Sequence, residues 1–128
     1  LNCAFVSYIH YLKVDFQVLD MSKDELPVAD VCIVRCVLQH LSNDLISQFV
    51  NKIKNKFKYL LITEHYPSKK NFTPNIDIVT GPKIRLTKDS GVDLASNPFN
   101  LIFKNQVNIC KIYSKLMSGY LNTQLYKL

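Results

Sequence analysis

The sequence predicts an α/β fold: a mostly parallel sheet that ends in an antiparallel hairpin. Three observations carry this. Two short apolar runs, Val31-Cys32-Ile33-Val34 and Tyr59-Leu60-Leu61-Ile62-Thr63, flank one amphipathic helical pattern. Such continuous apolar runs suit strands covered on both faces, as parallel sheets require. Near the end, Val107–Tyr113 alternates with period two and Tyr120–Tyr126 is rich in β-formers, with Met117-Ser118-Gly119 between them to turn the chain.

The helix is the plainest element. Ser42 caps its start and Asp44 suits the positive end of its dipole. Leu45, Ile46, Phe49, Val50, Ile53 and Phe57 then recur at three- and four-residue spacing as one apolar stripe. Strand, helix, strand in this order is a βαβ unit with a right-handed crossover. Upstream, Asp15-Phe16-Gln17-Val18-Leu19-Asp20 alternates like a strand, and the polar stretch Met21–Glu25 closed by Leu26-Pro27 reads as a loop. In residues 1–12, Phe5, Tyr8, Ile9 and Leu12 have helical spacing while Cys3-Ala4-Phe5-Val6 suits a buried strand, so both readings stand. Pro67 to Pro98 holds four prolines and two glycines and is expected to be irregular, a length of loop that is functional or mobile in most domains.

Composition narrows the class. With 128 residues, 48% hydrophobic and 20% charged, the chain has room for one globular domain and is not of disordered composition. No apolar run reaches the roughly 18 residues that span a bilayer, and Leu1–Ile9 lacks the basic flank and cleavage site of a signal peptide. The cysteines are Cys3, Cys32, Cys36 and Cys110; Cys32 and Cys36 have no second ligand pair, so buried reduced thiols are expected over a metal site. A reducing, cytoplasmic setting follows. The net charge of +6 is partly gathered in Lys52, Lys54, Lys56 and Lys58. Without interleaved stacking aromatics, this reads as the solvated end of a helix, and a nucleic-acid partner is not expected.

Phe16-Gln17-Val18-Leu19-Asp20, then Leu26-Pro27-Val28-Ala29-Asp30, then the run Val31-Cys32-Ile33-Val34-Arg35-Cys36-Val37-Leu38-Gln39-His40-Leu41 follow one another in a fixed order. That order resembles class I S-adenosylmethionine-dependent methyltransferases. Leu60-Leu61-Ile62-Thr63-Glu64-His65 is similar to the family's fifth strand. Asn75-Ile76-Asp77-Ile78 with Gly81 and Arg85, then Pro98-Phe99-Asn100-Leu101 and the closing Leu125-Tyr126-Lys127-Leu128, resemble a bacterial subgroup of methyltransferase domains. The resemblance covers residues 14–128.

It implies a partial Rossmann-like methyltransferase fold, with S-adenosylmethionine as cofactor and a small-molecule methyl acceptor or a macromolecular one. Asp20 would accept from the adenine amino group and the Met21 amide would serve the ring; the competing reading of Asp20 is an Asx turn ending a strand. Arg35 would offer its main chain to the methionine end, and Val37 and Leu38 would pack on the cofactor or in the core. His40 is a candidate general base or a positioning residue. Glu64 and His65, beyond the next strand, would touch the acceptor or form a polar loop. Asp77 and Arg85 would shape an acceptor pocket or pair with each other.

The resemblance also implies gaps. The family's glycine-rich turn has no counterpart, since only Gly81, Gly91 and Gly119 occur, and the acidic residue that binds the ribose is missing. In a family strand order of 3-2-1-4-5-7-6, the 15–20 strand would lack a neighbour and the fourth strand would keep an open edge suited to self-association. The expected unit is thus a single, N-terminally truncated domain over 1–128, a fragment or a decayed relative, whose activity needs a longer chain or a partner. The alternative function is a non-catalytic methyltransferase-like remnant that acts as an interaction module.

Overall fold

The computed structural model describes residues 14–128. Cys3 and the two readings of residues 1–12 lie outside the described residues. Strand β1 (Ala29–Arg35) leads through a 3-10 turn at Leu38–His40 into helix α1 (Asn43–Ile53), and β2 (Phe57–Pro67) follows. A long irregular stretch, broken by a 3-10 turn at Arg85–Lys88, then gives way to β3 (Asn105–Ser114) and β4 (Gly119–Lys127).

The four strands form one open sheet in the order β1-β2-β4-β3. The expected βαβ unit is present: β1 and β2 pair in parallel, Val31 beside Tyr59 and Arg35 beside Thr63. The sheet as a whole is not mostly parallel, however. The hairpin places β4, not β3, against β2, so both remaining pairings are antiparallel and the sheet is mixed. A hairpin's second strand must run against its first, and here it also runs against β2. Ser118 (φ 50°) takes the left-handed position of the turn, while Gly119 sits where a Cβ would lie 2.5 Å from the Tyr66 carbonyl. Ile109 is an extra residue in β3, between the pairs Asn108–Gln124 and Cys110–Thr123, a bulge on an edge strand.

Helix α1 starts as the sequence indicates, with Ser42 Oγ accepting from Leu45 N. It stops earlier than the apolar stripe suggests. Asn55 adopts φ 64° and turns the chain, so Phe57 belongs to β2. Asparagine tolerates that conformation better than most residues, which is why the stripe breaks there. Ile46, Phe49, Val50 and Ile53 pack on Val34, Leu60, Ile62 and Tyr126 of the sheet. Val92, Leu94, Phe99 and Leu101 from the irregular stretch join the same cluster.

Burial of both faces of the strands is not found. Among the described residues, what covers the sheet lies on one side, leaving Val31 45% and Ile33 70% exposed on the other. The strand expected at Asp15–Asp20 is also absent: Val14–Asp20 has no regular structure, and Val18 is 80% exposed. A period-two pattern supplies side chains for a sheet face but no partner for the backbone amides, and no strand of the sheet lies beside it.

Asn75 ties the irregular stretch together. At φ 59°, its Nδ2 donates to the carbonyls of Asp93 (2.7 Å) and Asn97 (3.0 Å), and its Oδ1 accepts from Asp93 N (2.8 Å). Tyr66 adds a hydroxyl bond to the Val92 carbonyl. Asn75 and Tyr66 thus satisfy buried polar groups within this stretch, while the buried Arg85 Nε has no hydrogen-bond partner among the described residues.

Candidate functional site

The chemistry gathers where β1 and β2 end. After Arg35 the chain turns sharply: Cys36 takes φ 53° and its amide donates to the Thr63 carbonyl at 2.7 Å. The next three amides point at one side chain. Glu64 accepts from Val37 N (3.1 Å) and Leu38 N (2.8 Å) on Oε1, and from Gln39 N (3.2 Å) on Oε2. Glu64 lies on the covered face of β2, in phase with Leu60 and Ile62, and is fully buried. Burial pushes its carboxyl up to about 7, against the pull of the three amides and of Arg85.

That shift has a sign for stability. The fold holds a proton on Glu64 between its ordinary value of 4.5 and about 7, where the unfolded chain releases it. The contribution is fully present below 4.5 and is lost as pH rises to about 7, on the order of 3 kcal/mol. Urea midpoints measured from pH 4.5 to 8 are expected to fall through this window in the wild type and to lose that component in Glu64→Gln.

Gln39 is the hub of the site and carried no sequence signal of its own. Its buried amide lies between two imidazoles. Oε1 stands 3.3 Å from His65 N and 2.9 Å from His65 Nδ1, while Nε2 stands 3.4 Å from His40 Nε2. His40 Nδ1 faces the Gly81 carbonyl at 3.2 Å. His65 is half-buried, and burial, His40 and Arg35 hold its imidazole below the ordinary value. His40 and His65 are brought together by a glutamine 26 residues from His65 in the chain.

Asp77 and Arg85 belong to the frame. Arg85, fully buried, donates from Nη1 to the Leu41 carbonyl (2.9 Å) and from Nη2 to Asn43 Oδ1 (2.6 Å). Asp77 Oδ1 accepts from Asn43 N (2.7 Å) and stands 3.9 Å from Arg85 Nη2. Thr80 Oγ1 accepts from Ser42 N (2.9 Å). The pairing alternative for these two residues therefore holds, and both fix the junction between the 3-10 turn and α1.

The residues assigned to the cofactor divide. Met21, Arg35 and Val37 line a concavity of about 380 Å³ beside β1, walled also by Leu26, Ile33 and Phe57. Asp20 is a half-exposed Asx turn: Oδ1 accepts from Ser22 N (2.9 Å) and Ser22 Oγ (2.6 Å), which holds the carboxyl below its usual range. Leu38 is fully buried in the core and its amide is taken by Glu64, so its side chain serves packing.

Other candidates resolve in the same way. Lys52 donates to the Asp24 carbonyl, Lys54 to Asn51 Oδ1, Lys56 pairs with Glu25 and Lys58 with Asp30, so the lysine cluster is engaged along one end of the fold. Cys32 and Cys36 are free and half-buried, burial raising the Cys32 thiol to about 11, whereas Cys110 is exposed on β3. Among the described residues, no three His, Cys, Asp or Glu side chains are grouped as a metal ion needs, and no helix is long and apolar enough to cross a membrane.

No family model matches the chain, and no curated protein or solved structure does either.

Proposed function

We propose that this chain is the strand-four-to-seven portion of a class I methyltransferase fold and serves S-adenosylmethionine-dependent methyl transfer. The observation that carries the reading is the strand order. The order β1-β2-β4-β3, with a helix between the first two strands, would correspond to the 4-5-7-6 part of the family order 3-2-1-4-5-7-6. Ligands of open α/β sheets bind beyond the carboxyl ends of parallel strands, and Arg35, Gln39, His40 and His65 cluster there.

The concavity beside β1 fits the adenine end of the cofactor. Its volume is in the range of small-ligand sites and its walls are almost wholly apolar, as a purine ring requires. Met21 and Val37 would hold the ring, and the Asp20 carboxylate would accept from the exocyclic amine. The Arg35 main chain would meet the methionine end. When bound, the cofactor supplies an electrophilic methyl carbon on sulfur. Glu64 has no exposed surface, so its part is to fix the Cys36–His40 turn. The ribose-binding acid and the glycine-rich turn have no counterpart in these 128 residues, and a companion segment or chain would have to provide them.

Titration calorimetry with S-adenosylmethionine and its demethylated product tests the reading. Binding is expected, weakened about tenfold by Asp20→Ala, the effect of one hydrogen bond to a charged acceptor. A folded chain that binds neither compound sinks it.

A second reading, an interaction module, is favoured by the outer edge of β1, unpaired among the described residues, and by exposed Val31 and Ile33. It predicts no cofactor binding together with concentration-dependent association.

A further inference from the structure

The hydrogen bonds around Gln39 determine where the protons of both imidazoles sit. His65 N is a backbone donor, so the atom of the Gln39 amide facing it at 3.3 Å must be the oxygen. That oxygen is also 2.9 Å from His65 Nδ1, which must then carry a hydrogen. The other end of the amide is the NH2 group, and it faces His40 Nε2 at 3.4 Å, so that nitrogen is the acceptor. His40 Nδ1 is left as the N–H, and its neighbour at 3.2 Å is a carbonyl oxygen, Gly81 O, which needs a donor. Every bond in the set agrees with one assignment.

In that assignment His40 has both nitrogens engaged. His65 has one engaged and keeps its Nε2 lone pair, for which no protein partner is found among the described residues. We infer that His65, and not His40, is the group that takes a proton from the methyl acceptor, that Gln39 is the residue positioning it for this, and that the acceptor is a hydroxyl compound. The inference rests on the methyl-transfer reading.

The choice of a hydroxyl follows from the charges facing His65. Arg35 lies on the same sheet face, beside Thr63 in register and one step from His65 on that face. His40 faces it from the 3-10 turn, and Leu121, opposite in β4, adds no charge. An ammonium acceptor would be repelled by the guanidinium, whereas an oxygen gaining negative character would be stabilised by it. In the step, the hydroxyl proton passes to His65 Nε2 and an oxygen lone pair forms the new O–C bond. The bonding pair of the broken C–S bond would leave with the cofactor's sulfur, so that charge and electrons would balance. Burial, His40 and Arg35 hold the His65 imidazole below the ordinary value, which favours the neutral ring.

Long-range proton–nitrogen NMR on the full chain at pH 7.5 reads the tautomers directly. Both histidines are expected as Nδ1–H, the form less favoured by free imidazole, and Gln39→Leu is expected to return His65 to Nε2–H. Diethyl pyrocarbonate should acylate His65 about tenfold faster than His40, the factor that one hydrogen bond on the competing nitrogen is worth. Phenol as a probe should shift the His65 Nε2 resonance upfield, and benzylammonium should not. An Nε2–H tautomer at His65 in the wild type, faster acylation of His40, or a response to benzylammonium in place of phenol would each overturn the inference. These readouts need no cofactor, so a failure to bind S-adenosylmethionine strikes the methyl-transfer reading separately.

Discussion

Replacing Glu64 by alanine is expected to destabilise the fold by about 4 kcal/mol at pH 5, measured as a fall in the urea midpoint at unchanged slope. The size follows from what the carboxyl does. Alanine leaves the amides of Val37, Leu38 and Gln39 without their acceptor, and two of those three residues are buried. It also opens a void beneath the turn. Glu64→Gln separates charge from hydrogen bonding. Its remaining oxygen can serve Val37 and Leu38, but its NH2 group meets the Gln39 amide donor to donor, a loss of about 2 kcal/mol at pH 5. By pH 8 the wild type carries a buried charge that glutamine does not, so the gap should close or reverse. A Glu64→Ala protein within 1 kcal/mol of wild type at pH 5 would mean that the three amides find water instead, and that Glu64 does not hold the turn. The same variant bears on function, because Gln39 reaches both imidazoles only while its own amide is held.

Much of the fold was legible because it rests on local patterns. Ser42 begins the helix, and Ile46, Phe49, Val50 and Ile53 mark the face it buries. The hairpin showed in the alternation of Val107–Tyr113 and the small residues after Met117. What could not be read are matters of pairing. Alternation in Asp15–Asp20 looks the same whether or not a neighbouring strand exists, and nothing in Val107–Tyr113 says that its hairpin partner, not itself, will lie against β2. The site divides along the same line. His40, Glu64 and His65 stood out as titratable residues at strand ends. Their surroundings did not, because Gln39 and Arg85 make their hydrogen bonds across 26 and 44 residues of sequence. A buried glutamine and a buried arginine look like any surface polar residue until the chain is folded. The sequence left Asp77 and Arg85 either to shape an acceptor pocket or to pair with each other; hydrogen bonding gives them to the frame.

Arg85 supports the second large prediction: Arg85→Met should cost about 3 kcal/mol. Buried ion pairs can be exchanged for apolar residues at little loss when both partners are replaced together, but that escape is closed here. One partner is the Leu41 main-chain carbonyl, which no substitution removes, and the other is Asn43 Oδ1, whose residue opens α1. Burial lowers the guanidinium's basicity while Asp77 and Glu64 raise it, and Asp77 alone is too exposed and too distant, at 3.9 Å, to be the main reason for the charge. Methionine fills similar space without a donor, so both oxygens lose their partner. Lysine keeps the charge but not the fork, and is expected to recover one bond and about 1 kcal/mol. If the two bonds fix the junction between the 3-10 turn and α1, amide exchange at residues 38–43 should accelerate in Arg85→Met more than exchange in β3 and β4. A variant as stable as wild type, or one whose exchange rises evenly throughout, would show that the guanidinium is merely tolerated in the core and that Asp77 and Thr80 hold the helix start without it.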